Sequence, residues 1–154
     1  MQHISHTTTI QLNAPPSEIV PLFTAKGECL WIVGWSPEYI YPASGDPQTG
    51  MIWKTKNHDQ TDAIWVTANY DTVQNAVTYI KYTPDMHITR IDIQCDPVED
   101  AQTLAQITYT LTALGEAGQA DIIKFTEDHY THWIASWEKA LNYYLEYGEA
   151  LPHG

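Results

Sequence analysis

The stretch QADIIKFTEDHYTHWIASWEKALNYYLEY, residues 119–147, decides the fold of this chain. Placed at about 100° per residue around Tyr130, its large apolar side chains fall on one side of a helix, whereas Lys124, Glu138 and Glu146 fall on the other. A helix of about 28 residues is roughly 42 Å long. Another element must cover its wide aromatic stripe, and only the segments that precede it are available.

Those preceding segments alternate between apolar and polar residues at the period of a β-strand. A first strand at 6–12 is followed by two short helical elements at 17–23 and 27–31. Short joints rich in Gly, Pro, Asn and Asp separate the later strands, which favours antiparallel neighbours. The later strands are predicted at 39–42, 51–56, 63–70, 76–82, 86–95 and 104–114. The pattern predicts an α+β fold in which a curved antiparallel sheet of six to seven strands wraps round one long C-terminal helix.

The composition excludes several classes of function. The 154 residues, 44% of them hydrophobic, suit one domain spanning 1–154. With 19 acidic and 7 basic residues, the net charge of −12 argues against a nucleic-acid partner and against an anionic membrane surface. No apolar run approaches the roughly 18 residues of a membrane-spanning helix, and the first residues lack a signal peptide. We therefore expect no membrane insertion and a cytoplasmic location, with Cys29 and Cys95 as buried thiols.

The aromatic residues indicate the kind of interior to expect. Tryptophan and tyrosine supply 6 and 10 aromatic side chains, whereas phenylalanine supplies only 2. Tryptophan and tyrosine combine an apolar body with a polar tip. An interior built from them suits an amphipathic or aromatic ligand better than a plain acyl chain.

Three segments of the chain resemble the START and birch-pollen-allergen superfamily, also called SRPBCC, which has the helix-grip fold. Residues 27–39, GECLWIVGWSPEY, are similar to a segment of its bacterial members near the polyketide-cyclase-like branch. Residues 109–115, YTLTALG, resemble their last strand, and residues 137–145, WEKALNYYL, their final helix. The match covers nearly the whole chain and implies a START-like domain. The superfamily contains lipid carriers, receptors, cyclases and chaperone activators, so the resemblance does not specify an activity.

The resemblance implies a ligand cavity between the concave face of the sheet and the N-terminal half of the long helix. Carried onto this chain, it places four helix residues nearest the cavity: Ile122, Thr126, Tyr130 and Trp133. Three residues further along the helix would then close the bottom as ordinary core: Trp137, Leu141 and Tyr144.

Aromatic residues outside the helix are further candidates for the cavity wall. Tyr109 belongs to the apolar face of its strand and should point inward. Trp53, Trp65 and Tyr79 also lie in strands, but plain core packing is as compatible with the pattern as ligand contact. Trp35 lies in the turn-rich segment before the second strand, where it is either a lid at the entrance or a staple that fixes the short helices to the sheet.

The sequence shows no convincing catalytic set. It contains no GxSxG motif, no clustered Cys–His pair and no phosphate-binding glycine loop. A positioned acid or base would have to come from Glu127, Tyr130 or His87. His129 and His132 are three residues apart, but helical geometry places His132 in solvent and no third ligand is in view. We therefore expect no metal site and no cofactor.

The single arginine, Arg90, has two interpretations. Its guanidinium could hold a ligand carboxylate, since its fork suits that geometry. The alternation of its strand instead places Thr89, Ile91 and Ile93 on the inner face, so Arg90 should point outward toward an acidic neighbour.

Together these patterns predict a protein that binds a small hydrophobic molecule, lipids included, or an aromatic one, as a monomer or homodimer. One alternative is an enzyme of the cyclase or dehydratase type that uses an acid or base in the cavity. The other is a protein-interaction module of the chaperone-activator kind with a vestigial cavity. A titratable group with a shifted pKa inside the cavity favours the enzyme, whereas a collapsed core with a large exposed apolar patch favours the interaction module.

Overall fold

The order of the elements follows the prediction, except that two helices stand in place of the single C-terminal helix. The computed structural model describes residues 2–57, 60–99 and 101–152. The sequence predicts turns between strands at 57–59 and 96–100. Three residues of these turns lie outside the described residues: His58, Asp59 and Asp100. The elements are β1 (His3–Leu12), α1 (Pro16–Ile19), a 3-10 turn (Val20–Phe23), α2 (Ala25–Glu28), β2 (Glu38–Tyr41), β3 (Ile52–Lys56), β4 (Asp62–Asp71), β5 (Ala76–Thr83), β6 (His87–Val98), β7 (Gln102–Ala113), α3 (Glu116–Lys124) and α4 (Glu127–Tyr147).

In the described part of the chain the strands form one seven-stranded antiparallel sheet with the order β1-β7-β6-β5-β4-β3-β2. The strands from β2 to β7 follow one another as a meander, and β1 closes against β7 along its whole length. The register shifts between Thr67 and Asn69 in β4 and between Tyr39 and Tyr41 in β2. Such bulges bend a strand and add to the curvature of the sheet, whose concave face receives the helices.

The faces predicted for the two longest strands are confirmed. In β6, Thr89, Ile91 and Ile93 are buried, whereas Arg90 is exposed. Arg90 donates from Nε to Asp92 Oδ2 at 2.9 Å on the outer face, so its guanidinium does not point into the interior. The alternation of apolar and polar residues predicts the two faces because other elements cover only one face of these strands.

The single long helix predicted at 119–147 is wrong in one respect, because it is two helices. Phe125 has a non-helical ψ of 69° and ends α3, while Thr126 is extended and caps α4. The Thr126 hydroxyl accepts a hydrogen bond from the backbone N–H of His129 at 3.2 Å. Threonine followed by Glu127 and Asp128 is a strong helix start, and this local chemistry outweighs the continuous apolar period.

The core lies between the concave face of the sheet, the short helices and α4. Tyr130, Ile134 and Leu141 of α4 are completely buried, as is Phe23 of the 3-10 turn. No described helix is long and apolar enough to cross a membrane.

The expectation that both thiols are buried is correct for Cys95 and wrong for Cys29. Cys95 is buried on β6, whereas Cys29 is exposed because it follows the last residue of α2 on the outer side of that turn.

Candidate ligand-binding cavity

The concave face of the sheet does not pack fully against α4, and a cavity of about 1010 Å³ remains between them. Strands β3 to β7 form one wall of this cavity. The other walls come from α2 with the following turn, from α3 and α4, and from Leu151 and Pro152 beyond α4. Sites for small molecules typically measure about 300–1,000 Å³, so this cavity is large enough for an organic ligand and has not collapsed.

The structure brings most of the predicted site residues together on this wall. The aromatic candidates on the strands and in the turn all line the cavity, and so does the last of the four helix candidates. These residues are Trp35, Trp53, Trp65, Tyr79, Tyr109 and Trp133. That they contact a ligand stays a prediction.

The other three predicted residues lie away from the cavity wall. Ile122 and Tyr130 are completely buried, and the Tyr130 hydroxyl donates to the backbone carbonyl of Ile107. Thr126 is exposed and occupied as the cap of α4. Trp137, predicted as ordinary core, lines the cavity.

Two tryptophans form a flat part of the wall. Trp53 and Trp65 are direct cross-strand partners in β3 and β4, and their rings stack with centroids 5.6 Å apart and planes 12° apart. Trp35 meets Trp65 edge-on at 5.7 Å and donates from its indole nitrogen to the Ala25 carbonyl at 2.7 Å. Trp35 therefore lines the cavity and also fixes the turn to α2, so the two interpretations of this residue do not compete.

The opposite wall is an aromatic cluster on α4. Trp133 is 37% exposed, and its ring lies 5.1 Å from that of Tyr109 and 5.1 Å from that of Trp137. Trp137 extends the cluster to Trp31 at 5.9 Å. Edge-to-face pairs of this kind add specific geometry to the burial of apolar area.

The sequence pattern missed several polar residues of the wall, and Glu28 is one of them. It is the last residue of α2, is half-buried and lines the cavity. Burial raises the pKa of its carboxyl from the usual 4.5 to about 8. The pKa of the Tyr79 and Tyr109 hydroxyls rises mainly through burial, with a second contribution from charge repulsion by Glu28. At neutral pH Glu28 is therefore mostly a protonated acid that can donate a hydrogen bond or a proton.

The inward direction of Glu28 depends on its neighbour Gly27. A Cβ at Gly27 would lie 1.9 Å from the carbonyl oxygen of Pro21, so only glycine allows α2 to approach the 3-10 turn this closely. The Gly27 N–H also donates to the Thr24 hydroxyl at 2.9 Å, which fixes the start of α2. The Gly-Glu pair is the one local signal that could have indicated this placement.

A second polar cluster, formed by Lys81, His87 and Asp121, lies in another part of the wall. The Nε2 atom of His87 lies 2.9 Å from Asp121 Oδ2, and the buried Nδ1 of His87 has no hydrogen-bond partner in the described part of the chain. Burial lowers the pKa of Lys81, and the negative charge of Asp121 partly offsets this effect. His87, an expected acid or base, is thus placed in the cavity wall, whereas Glu127 is exposed outside it.

The histidine pair on α4 does not form a metal site with its surroundings. His129 and His132 are both exposed, and His132 Nδ1 contacts the backbone carbonyl of Asp128 at 2.8 Å. Among residues 2–57, 60–99 and 101–152, no three metal-ligating side chains come together.

No protein-family model matches the chain, and no curated protein matches it. Solved structures do match it. Ara h 8.0201 is 12% identical, with 94% of this chain and 99% of that chain covered and a TM-score of 0.66. A norcoclaurine synthase point mutant from Thalictrum flavum, in complex with a transition-state analogue, is 12% identical over 96% and 98% of the two chains, with a TM-score of 0.70. DynU16, a putative protein in the dynemicin biosynthetic locus, is 12% identical over 94% of this chain and 48% of its own, with a TM-score of 0.60.

Identities this low establish the fold alone, and they do so together with the sheet order, the two short helices after β1 and the long α4. The chain therefore has the helix-grip fold of the START and birch-pollen-allergen superfamily.

Proposed function

We propose that this protein binds a small hydrophobic or aromatic molecule in the cavity between the sheet and α4. The observation that carries the proposal is a cavity of about 1010 Å³ whose walls consist largely of aromatic rings. A ligand there would remove apolar surface from water on both sides, at about 25 cal/mol per Å². The expected state of the protein is a cytoplasmic monomer or homodimer.

One solved structure of the same fold supports an aromatic ligand. A norcoclaurine synthase from Thalictrum flavum, 11% identical with a TM-score of 0.66, was determined in complex with dopamine and hydroxybenzaldehyde. That protein holds small aromatic molecules, and the rings of Trp53 and Trp65 in the cavity wall offer aromatic surface that such molecules could contact in this chain.

Native mass spectrometry tests the proposal. The wild-type protein should carry an extra mass that survives desalting and is lost on denaturation, or should take up the neutral dye N-phenyl-1-naphthylamine. The variant Ile91→Trp places an indole into the cavity from β6 and should lose both, whereas Arg90→Trp on the outer face of the same strand should keep them. A wild-type protein that carries no ligand and takes up no dye contradicts the proposal.

A second candidate function is an acid–base enzyme of the cyclase or dehydratase type, and Glu28 favours it. The protonated Glu28 carboxyl in the cavity wall could protonate a leaving hydroxyl of the ligand, and the carboxylate that remains could take a proton from the adjacent carbon, whereas His87, the expected acid or base that also lines the cavity, lies in another part of the wall. The ligand would then be released with one water less. Of the other expected acids and bases, Tyr130 is engaged by the Ile107 carbonyl and Glu127 lies outside the cavity.

The two functions differ in what happens to a bound molecule. If incubation of the purified ligand with the protein gives a product lighter by one water, and Glu28→Gln stops the conversion while binding persists, the enzyme is favoured. An unchanged ligand favours simple binding. An open cavity gives no support to the third alternative, an interaction module with a vestigial cavity.

A further inference from the structure

We propose that the ligand is an aromatic acid and that Lys81 binds its anionic headgroup. This inference rests on the proposed function, because it specifies the chemistry of a molecule held in the same cavity. Its starting point is the different environment of Lys81 compared with the lysines on the surface.

Lys81 lies on the concave face of the sheet, within the cavity wall. Its cross-strand partners are Trp65 on β4 and Thr89 on β6. The ammonium nitrogen lies 5.1 Å from the centre of the Trp65 ring, which is a cation–π contact. The charged end of the side chain is therefore held over the Trp65 ring, within the aromatic wall of the cavity.

Lys81 has no paired carboxylate among the described residues. Lys26, Lys54 and Lys56 each have a carboxylate oxygen within 4.0 Å, whereas Lys81, Lys124 and Lys139 have none among the described residues, and of these three only Lys81 is half-buried. Asp121 is close enough to influence the pKa of Lys81, but one of its oxygens is engaged by His87 at 2.9 Å. A cation withdrawn from water without a paired anion is unfavourable, and an anionic ligand would compensate it.

The polar atoms next to Lys81 also lack partners. Thr83 and His87 are register partners at the end of the β5–β6 ladder, two positions beyond Lys81 and Thr89. The Thr83 hydroxyl and His87 Nδ1 are both buried with no hydrogen bond among the described residues. His87 lines the cavity together with Lys81, whereas Thr83 lies outside the cavity lining, so the groups at this end that can face a carboxylate or sulfonate are the Lys81 ammonium and the His87 ring.

The position of Glu28 gives the ligand one preferred direction. The Glu28 charge acts on Tyr79 and Tyr109, whereas the charge that acts on Lys81 is that of Asp121. Tyr79 precedes Lys81 by two residues on β5, which is roughly 6.6 Å along a strand. An acidic headgroup is attracted by the Lys81 ammonium. At the Glu28 side of the cavity it would meet only an uncharged acid, or at high pH a carboxylate that repels it.

Two dyes that differ chiefly in one anionic group test this inference. 8-Anilinonaphthalene-1-sulfonate carries a sulfonate that N-phenyl-1-naphthylamine lacks. Dissociation constants at neutral pH should show that Lys81→Met weakens binding of the sulfonate by about tenfold or more, since one hydrogen bond to a charged group is worth about 1.5–3 kcal/mol. Binding of the neutral dye should change by less than about twofold.

Matched variants make the result specific. Lys124→Met removes an exposed charge on α3 and should leave both dissociation constants unchanged, while Lys81→Arg should retain the preference for the anion. Circular dichroism establishes that each variant is folded. If the wild-type protein binds both dyes and Lys81→Met weakens them equally or not at all, the role of Lys81 is refuted and the ligand cavity stands. If neither dye binds to the wild-type protein and it carries no extra mass in native mass spectrometry, the proposed function itself fails.

Discussion

Replacing Glu28 with glutamine is the most direct test of the buried acid, because glutamine has nearly the same shape but cannot ionise. Burial raises the pKa of this carboxyl from 4.5 to about 8. Between these two pH values the folded protein holds a proton that the unfolded chain has released. The stability of the wild-type protein should therefore fall as the pH rises from about 4.5 to about 8, and Glu28 should have no further effect outside this window.

The size of the effect follows from the same two values. At 1.36 kcal/mol for each pH unit, a pKa that rises from 4.5 to about 8 corresponds to about 5 kcal/mol. Glu28 is half-buried and faces a cavity that water can enter, so we expect about 2–4 kcal/mol. Glu28→Gln should lack this loss and become the more stable protein above about pH 7.

Urea unfolding followed by far-ultraviolet circular dichroism, between about pH 5 and pH 8.5, measures the difference. Glu99→Gln is the matched control, because Glu99 is an exposed carboxylate in the turn between β6 and β7. Its stability should follow that of the wild-type protein at every pH. If Glu28→Gln also runs parallel to the wild-type protein, the carboxyl is not held in its protonated form and the acid–base function loses its support.

Three further predictions concern the helices and are checked by urea unfolding. Trp137→Ala removes a ring packed among four aromatic neighbours and should lower the free energy of unfolding by about 3 kcal/mol. Trp133→Ala, at a position that is 37% exposed, should lower it by about 1 kcal/mol or less. Equal losses for the two variants would contradict the placement of the cavity. Thr126→Ala removes the cap of α4 and should cost about 1 kcal/mol; an unchanged stability would mean that the helix does not start there. Gly118→Ala would place a Cβ 1.6 Å from the Met86 carbonyl oxygen and should cost more than about 2 kcal/mol, and a variant as stable as wild type would refute this close approach.

The predictable parts of the fold are those in which one face of an element is buried and the other is exposed to solvent. In β7, Ile107, Tyr109 and Leu111 alternate with threonines and glutamine, so the inner face was readable. In β4, by contrast, Ile64, Trp65 and Val66 are consecutive and all half-buried, so the sequence does not distinguish the two faces. Only the pairing of Trp65 with Trp53 in the neighbouring strand assigns it to the cavity.

The candidate site was less predictable, because its polar members depend on how elements pack. Glu28 lies in a short stretch that looks exposed, and its burial follows from the close approach of Gly27 to the carbonyl of Pro21, six residues earlier in the chain. Lys81 is a cation at an inward strand position, where the pattern of apolar residues gives no signal. Thr126 is recognisable in the sequence as a capping residue at the start of a helix. The apolar period continues across it, however, and by itself predicts one uninterrupted helix.

The distribution of indoles has a practical consequence for spectroscopy. The chain has 6 tryptophans, and all of them, Trp31, Trp35, Trp53, Trp65, Trp133 and Trp137, border the same cavity. The tryptophan emission of the folded protein therefore originates from chromophores around one cavity, and a bound aromatic molecule can quench it or receive its excitation energy. The stacked Trp53–Trp65 pair, with ring centres 5.6 Å apart, should also give an exciton signal in the ultraviolet dichroism spectrum that changes when a ring is inserted beside it. Tryptophan emission and ultraviolet dichroism of the unlabelled protein should thus report whether the cavity is occupied.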